Sequence, residues 1–309
     1  MLYRDFGKLG WKVSAIGMGT WNISNQWGEI DELAAIATIR TALDSGVNLI
    51  DTAEAYGIPL GLSELRLGVA LTGMRHKAFV VSKIGHWGQR TGHMVPKTHP
   101  DLVRLCAHAI LYRLRTDWVD VMLCHERDPQ DPDVYLDAFE ELKKDGKIRA
   151  YGISTDSLEA LKRFNARSAC EVAEVNYSLL NRSAERELLP YCRENGIAVL
   201  IRGPLAMGML SGKYSADSVF TDSVRASWNT KEGPRARFLR QAAKVEKLKT
   251  VLMPGEEMIT AALRFVISPP ACPVAIPGAK SPEQAAMNAR AGERTLSAAE
   301  IAQLTALVE

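Results

Sequence analysis

Two apolar patterns alternate along most of this chain. Leu33, Ile36, Ala37, Ile39 and Leu43 recur at helical spacing until Gly46, whereas Asn48-Leu49-Ile50-Asp51-Thr52-Ala53-Glu54-Ala55-Tyr56-Gly57 begins as an apolar run and breaks into polar residues. The first pattern predicts an amphipathic helix, and the second a buried strand that delivers an ionisable residue at its C-terminal end. Residues 61–71 predict a helix, and Ala78-Phe79-Val80-Val81-Ser82-Lys83 repeats the strand pattern. Strand, loop, helix and strand then form a unit whose expected geometry is a right-handed parallel crossover. The alternation continues with helices over 101–114, 133–145, 157–164 and 184–195, and strands over 118–124, 148–153, 171–176 and 197–201. After a long interruption, residues 256–267 predict a helix and 272–276 a strand. Two helices close the chain, opened by Ser281-Pro282 with Gln284 at the capping-box position and by Ser297-Ala298-Ala299-Glu300.

At the N-terminus, β-like runs over 3–6 and 12–16 flank Gly7-Lys8-Leu9-Gly10, which predicts a hairpin. Counting from Ala15-Ile16-Gly17-Met18-Gly19-Thr20, eight strands alternate with helices. That count, in one domain spanning residues 1–309, favours a closed (β/α)8 TIM barrel with an N-terminal β-hairpin and extra C-terminal helices over an open doubly wound α/β sheet. The longest stretches without a predicted element, 86–99 and 205–235, both follow strands and so belong over the mouth of the barrel. Gly17-Met18-Gly19 lacks a third glycine at the right spacing and opens no helix, which argues against a dinucleotide fingerprint.

Composition removes several function classes. Hydrophobic residues make up 47% and charged residues 24%, which allows a sizeable core. A formal charge of +2 is too mild to imply nucleic acid as a partner. The densest basic cluster, Lys143-Lys144-Asp145-Gly146-Lys147, reads as a helix end capped by Gly146. The five cysteines are odd in number, widely spaced and never in a Cys-x-x-Cys pair. They point to a reducing compartment and away from a disulfide framework or a zinc site. No apolar run approaches the ~20 residues that span a bilayer, and Arg4 and Asp5 stand where a signal peptide would be apolar. No membrane association is expected, and the expected location is cytoplasmic.

The candidate chemistry lies at successive strand ends. Asp51 and Lys83 end neighbouring strands, Tyr56 lies on the loop five residues past Asp51, and Val119-Asp120-Val121-Met122-Leu123-Cys124-His125 brings His125 to the same end of the next strand. Each residue alone has a plain structural use; the argument is their convergence at one end of consecutive units. Such a set suits proton delivery to a carbonyl oxygen as a hydride arrives at its carbon. Tyr56 is the candidate acid, Lys83 favours its phenolate, Asp51 holds Lys83 charged, and His125 orients the substrate oxygen. None of these is a hydride source, so a reduced nicotinamide is needed.

Asp51, Tyr56, Lys83 and His125, in this order and in these local contexts, resemble the catalytic tetrad of the aldo-keto reductase superfamily, and the resemblance spans nearly the whole chain. Asn176-Tyr177-Ser178-Leu179-Leu180-Asn181-Arg182, Pro204-Leu205-Ala206-Met207-Gly208-Met209-Leu210-Ser211-Gly212-Lys213-Tyr214 and Ile276-Pro277-Gly278-Ala279-Lys280-Ser281 are similar to its cofactor-side motifs. The resemblance implies an NADP(H)-dependent oxidoreductase without a metal, acting on a small-molecule carbonyl or alcohol. It places Ser154, Thr155, Glu174 and Arg202 in the nicotinamide pocket, and Pro204, Leu205, Gly208, Gly212 and Lys213 toward the pyrophosphate. Gly278, Ala279, Lys280, Gln284 and Asn288 fall on the adenosine side. That last segment opens a helix, where free N–H groups favour an anion. Lys280, Ser281 and Gln284 are placed for a 2′-phosphate and Asn288 for the adenine.

Three positions depart from the family pattern: Thr155 where Asn is usual, Glu174 where Gln is usual, and Arg202 where an aromatic commonly stacks on the ring. Glu174 and Arg202, on adjacent strands, are expected to form an ion pair, with Arg202 flat against the nicotinamide. His86, His93 and His99 share one loop but lack the pattern of a metal site and suggest a substrate-facing loop. Trp21, Trp87 and Trp228 are candidates to line an apolar pocket. A competing reading is a cofactor-binding regulatory subunit of the channel β-subunit type, and a phosphosugar isomerase leaves the Lys280 motif without a role. The substrate, the reaction direction, the strictness of NADP over NAD and the oligomeric state are left open.

Overall fold

The computed structural model describes residues 1–252 and 257–308. An antiparallel hairpin of β1 (Tyr3–Asp5) and β2 (Lys12–Ser14) precedes eight parallel strands. These are β3 (Met18–Gly19), β4 (Leu49–Asp51), β5 (Phe79–Ile84), β6 (Val119–Cys124), β7 (Ile148–Ser154), β8 (Val172–Asn176), β9 (Ala198–Arg202) and β10 (Val274–Ala275). Each lies beside the next in chain order. Isolated bridges from Ile16 to Ala275 and from Gly19 to Gly278 join the first strand to the last. The expected (β/α)8 barrel with its hairpin is therefore the architecture found.

Side-chain alternation along the strands sorts residues into two layers. Leu49, Val81, Val121, Leu123, Ala150, Val172, Ala198, Leu200 and Val274 fill the barrel interior with Phe6 and Val13. Ile50, Val80, Met122, Ile153, Ala173, Val175, Val199 and Ile201 face the opposite way, in the shell shared with the helices. The bottom is closed by Phe6, Trp11 and Phe79, stacked at 6.3 and 5.1 Å between successive ring centroids. Two-residue periodicity then carries the inward face up each strand to Asp51, Lys83, His125, Ser154, Glu174 and Arg202. These residues meet at the mouth because they share strand parity with the apolar interior beneath them.

The helices follow the alternation: Glu32–Asp44, Leu62–Ala70, Pro100–Leu114, Asp133–Lys144, Leu158–Phe164 and Leu188–Glu194 lie between strands. The helix expected over 184–195 is split, with a 3-10 turn at Ser183–Glu185 before its regular part. The stretch 205–235 is not without structure. It holds a 3-10 segment, Ala206–Ser211, a short helix, Ser227–Thr230, and the start of an 18-residue helix, Glu232–Lys249. Pro234 lies in the first turn of that helix, where its missing N–H costs nothing. The next helix is Met258–Val266; its expected start at Glu256 lies outside the described residues. Pro282–Ala291 and Ala298–Ala306 are the extra C-terminal helices, and Ser297 and Glu300 complete a reciprocal capping box. At Ser281 the box is half made. Its hydroxyl accepts from Gln284 N, but the Gln284 amide oxygen accepts from Lys280 N at 2.9 Å. Among the described residues no helix is long and apolar enough to cross a membrane.

Candidate active site

Lys83 is the centre of the site. Its side chain is fully buried, and its Nζ lies 2.6 Å from both oxygens of Asp51, 3.1 Å from the Thr52 carbonyl and 3.3 Å from the Tyr56 hydroxyl. The loop after β4 arrives there because it goes on pairing with β5: Thr52 N donates to Val81 O and Glu54 N to Lys83 O. Glu54, itself buried, accepts from Gly85 N at 2.9 Å and ties the loop to the end of β5. Tyr56 is gripped by its backbone, donating to Ala53 O and accepting from Ser63 N, while Trp21 stacks on its ring at 5.7 Å.

The electrostatics follow from this crowding. Burial pulls the Lys83 ammonium toward neutrality, but Asp51 and Glu174 more than offset it, so the pKa is raised and the charge persists. Burial pushes the Tyr56 phenol up to about 12; Lys83 pulls it down, and Asp51 and Glu174 push it further up. Lys83 thus pulls toward the phenolate, and desolvation of the phenolate outweighs it. Burial, and then the charge of Glu174, hold the Asp51 carboxyl well above its ordinary value against the pull of Lys83.

His125 joins the cluster from the end of β6, its ring edge-on to Tyr56 at 5.9 Å and stacked on His86 at 4.2 Å. Burial, then His86, Lys83, Arg202 and Arg127, hold it well below the usual imidazole range, so the ring is neutral. Its Nδ1 is buried without a hydrogen-bond partner. A neutral imidazole with an unmet polar atom beside a phenol is suited to bind a substrate oxygen.

The three departures in the nicotinamide pocket separate. Glu174 does not pair with Arg202. In the β8–β9 register Glu174 stands opposite Leu200 and Arg202 opposite Asn176, two residues nearer the mouth. Arg202 turns to Asp156, 2.5 Å away on the loop after β7. Glu174 is buried with one oxygen 3.2 Å from Lys83 Nζ and the other 3.4 Å from the Ser154 hydroxyl, which donates to it. Thr155 points elsewhere, its hydroxyl donating to Arg127 O at 2.5 Å and accepting from Ser157 N. Ser154 and Glu174 therefore line the site, while Thr155 braces the neighbouring loop.

On the side of the last strand, Lys280 Nζ donates to the Trp27 carbonyl and is half-buried. Burial lowers its pKa, with Asp222 opposing and Arg225 assisting. Asn288 is buried and donates to Gly278 O at 3.2 Å, and Ala279 packs in the core, so this segment offers a ligand its backbone, Lys280 and the exposed Gln284. Across from it, Pro204 is buried and Leu205 half-buried after β9. Gly208 has a positive φ, and a Cβ there would stand 3.3 Å from Arg225 and 3.4 Å from Tyr214. Gly212 faces Lys249 and Met258 on the helix side, and Lys213 is exposed. Arg225 bonds Tyr214 at 2.7 Å and Asp222 at 3.0 Å, and Ser223 donates to Gln26 O, so the 222–225 segment rests on the loop after β3.

A nicotinamide dinucleotide fits these residues. Lys280 at the N-terminus of a ten-residue helix suits an anion, and the buried His125 Nδ1, without a hydrogen-bond partner, and Glu174 Oε2, held by Lys83 only as an ion pair, mark the polar floor of the mouth. Trp21 belongs to the site. Trp87 instead packs under Arg113, and Trp228 lies in a separate cluster with Phe220 and Phe238. His99 caps the helix Pro100–Leu114, accepting from Asp101 N, while His86 faces His125. Sequence reasoning missed the roles of Asp156, Arg225 and Glu54. Only Glu54 carries a signal, as an acid two residues before a candidate catalytic Tyr in an otherwise apolar stretch.

A family model described as the Aldo/keto reductase family matches residues 15–309. "Aldo-keto reductase YhdN" of Bacillus subtilis (strain 168) is 33% identical over 293 residues, covering 92% of this chain and 86% of that protein. "NADH-specific methylglyoxal reductase" of Escherichia coli (strain K12) is 30% identical over 319 residues, covering 96% and 95%. The solved structure of an aldo-keto reductase from Klebsiella pneumoniae in complex with NADPH superposes with a TM-score of 0.77 at 29% identity, over 100% of this chain and 96% of that one.

Proposed function

Because the chain belongs to the aldo/keto reductase family, we propose that it is an NADP(H)-dependent oxidoreductase interconverting aldehydes or ketones and alcohols, with Tyr56 as general acid and base. The observation that carries this reading is the buried Lys83 ammonium set between the Asp51 carboxyl and the Tyr56 hydroxyl. When bound, the reduced nicotinamide supplies the hydride. Tyr56 gives its proton to the carbonyl oxygen, and Lys83, 3.3 Å away, stabilises the phenolate left behind. Asp51 keeps Lys83 charged and in place. His125, neutral at the mouth, orients the same oxygen, and Trp21 shields the phenol from water. In the reverse direction Tyr56 takes the proton from the alcohol. Ser154 and Glu174 would hold the ring, and Lys280 would hold the adenosine phosphate. The unpaired cysteines support a reducing, cytoplasmic setting, and residues 1–309 read as one domain.

The test is oxidation of NADPH across a panel of aldehydes, ketones and sugars, and reduction of NADP+ with the matching alcohols. Turnover of at least one carbonyl, dependent on cofactor, is expected. Cofactor binding without turnover of any member would point instead to a regulatory subunit.

Cofactor choice has its own test, sharpened by the NADH-specific name of one relative. Lys280→Ala removes a cation from the helix N-terminus, where the 2′-phosphate of NADP(H) would lie. It should weaken NADP(H) by roughly tenfold or more and leave NAD(H) nearly unchanged. Titration of both cofactors by protein fluorescence reads this directly, and equal losses would remove Lys280 from the phosphate site.

A further inference from the structure

The Lys83 ammonium has three protons to give and more acceptors than it can serve. Both Asp51 oxygens, the Thr52 carbonyl and the Tyr56 hydroxyl already surround it. Glu174 Oε2 comes within ion-pair distance, 3.2 Å, yet accepts no hydrogen bond. The result is a cluster of two buried carboxyls, one ammonium and a phenol. If both carboxyls are ionised, one negative charge has no counter-charge and one carboxylate oxygen has no donor. A proton retained between the carboxyls removes both costs.

The surrounding groups leave that charge uncompensated. His125 is neutral, Tyr56 keeps its proton to about 12, and Ser154 offers Glu174 only a hydroxyl at 3.4 Å. Arg202, two residues further up the barrel, is already paired with Asp156, and Arg127 is exposed. His86 stacks on the His125 ring at 4.2 Å. The direction in which Asp51 titrates, upward through burial and the charge of Glu174, agrees with a proton held in the pair.

We propose that the Asp51–Glu174 pair carries one proton in the cofactor-free protein, and that binding of the oxidised nicotinamide, a cation, expels this proton to solvent while binding of the neutral reduced form does not. This rests on the reading above that the ring lies against Ser154 and Glu174. The balance is simple. The protonated pair and NADP+ give the bound NADP+, the pair one charge more negative, and a free proton; no electron moves. Glu174, beside the ring and sharing the proton with Asp51, thus couples redox preference to pH. As pH rises the oxidised cofactor gains and alcohol oxidation is favoured, and as pH falls the reduced cofactor gains.

Calorimetric titration of the full chain with NADP+ and with NADPH, in two buffers of different ionisation enthalpy at neutral pH, counts the protons released. Taking the difference between the two cofactors cancels the titration of the 2′-phosphate that both carry. The native protein should release about one more proton with NADP+ than with NADPH, and the ratio of their dissociation constants should shift toward NADP+ by up to about tenfold per pH unit. Glu174→Gln, close in shape, should bind NADPH and abolish most of that difference. Equal proton release by the two cofactors in the native protein overturns the proposal, and so does a difference that survives intact in Glu174→Gln. If Glu174→Gln no longer binds NADPH, the native difference alone decides. Failure of the native protein to bind NADP(H) or NAD(H) in either redox state would overturn the cofactor reading itself, and this one with it.

Discussion

Tyr56→Phe should lower kcat for carbonyl reduction by roughly 100-fold or more while leaving the affinity for reduced cofactor nearly unchanged. The change deletes a hydroxyl 3.3 Å from Lys83 and little else. The ring still stacks on Trp21 and still meets the edge of His125, so the walls of the pocket keep their shape. What disappears is the proton donor, and no neighbour replaces it: His125 is neutral, and Lys83 is held charged by Asp51 and Glu174. Single-turnover measurements with NADPH and its hydride-deuterated form would isolate the chemical step. A variant that keeps near-native turnover with a full isotope effect would show that Tyr56 is not the acid.

Lys83→Met should be comparably damaging to kcat, and it should also weaken the fold. Removing the ammonium leaves Asp51 and Glu174 facing each other in a buried space without a cation, and breaking a buried pair in this way costs about 3 kcal/mol or more. The sign with pH is fixed. The Asp51 carboxyl, whose folded-state pKa lies above the unfolded value, is tolerated when protonated, so the deficit should be smaller in acid and should grow as pH rises through that raised pKa. Urea unfolding of native and variant protein at two pH values measures it. Adding Asp51→Asn to Lys83→Met should recover part of the stability at the higher pH, Glu174 remaining unpaired, without restoring turnover. A Lys83→Met protein as stable and as active as the native one would remove Lys83 from the centre of the site.

The ends of the strands were legible because side-chain parity is a local property. Leu49 and Asp51, Val81 and Lys83, and Leu123 and His125 share a face in any strand, so the sequence order of apolar and ionisable residues already aims three of the four tetrad residues inward. The caps at Ser281 and Ser297 were legible for the same reason. The pairing of Glu174 was not. It depends on β8–β9 register, which sets Arg202 beyond its reach, and on a long lysine crossing the barrel from β5. Nor did Thr155 announce that its hydroxyl serves Arg127 O. The helix Glu232–Lys249 was not read, although Phe238, Ala242, Val245 and Leu248 carry helical spacing and form its buried face. Lys280 has the charge expected of it, but only the folded chain shows that it first meets the Trp27 carbonyl.

The ring of strands is joined most thinly where β3 meets β10, each two residues long and linked by isolated bridges at Ile16–Ala275 and Gly19–Gly278. The Trp27 loop lies on one side of this seam and Lys280 on the other, so their contact stitches it from above. Any ligand that draws Lys280 away must therefore supply the stitch itself. Amide hydrogens along β3 and β10 should exchange faster with solvent than those of β5 to β7 across the barrel, and a bound dinucleotide should slow them most.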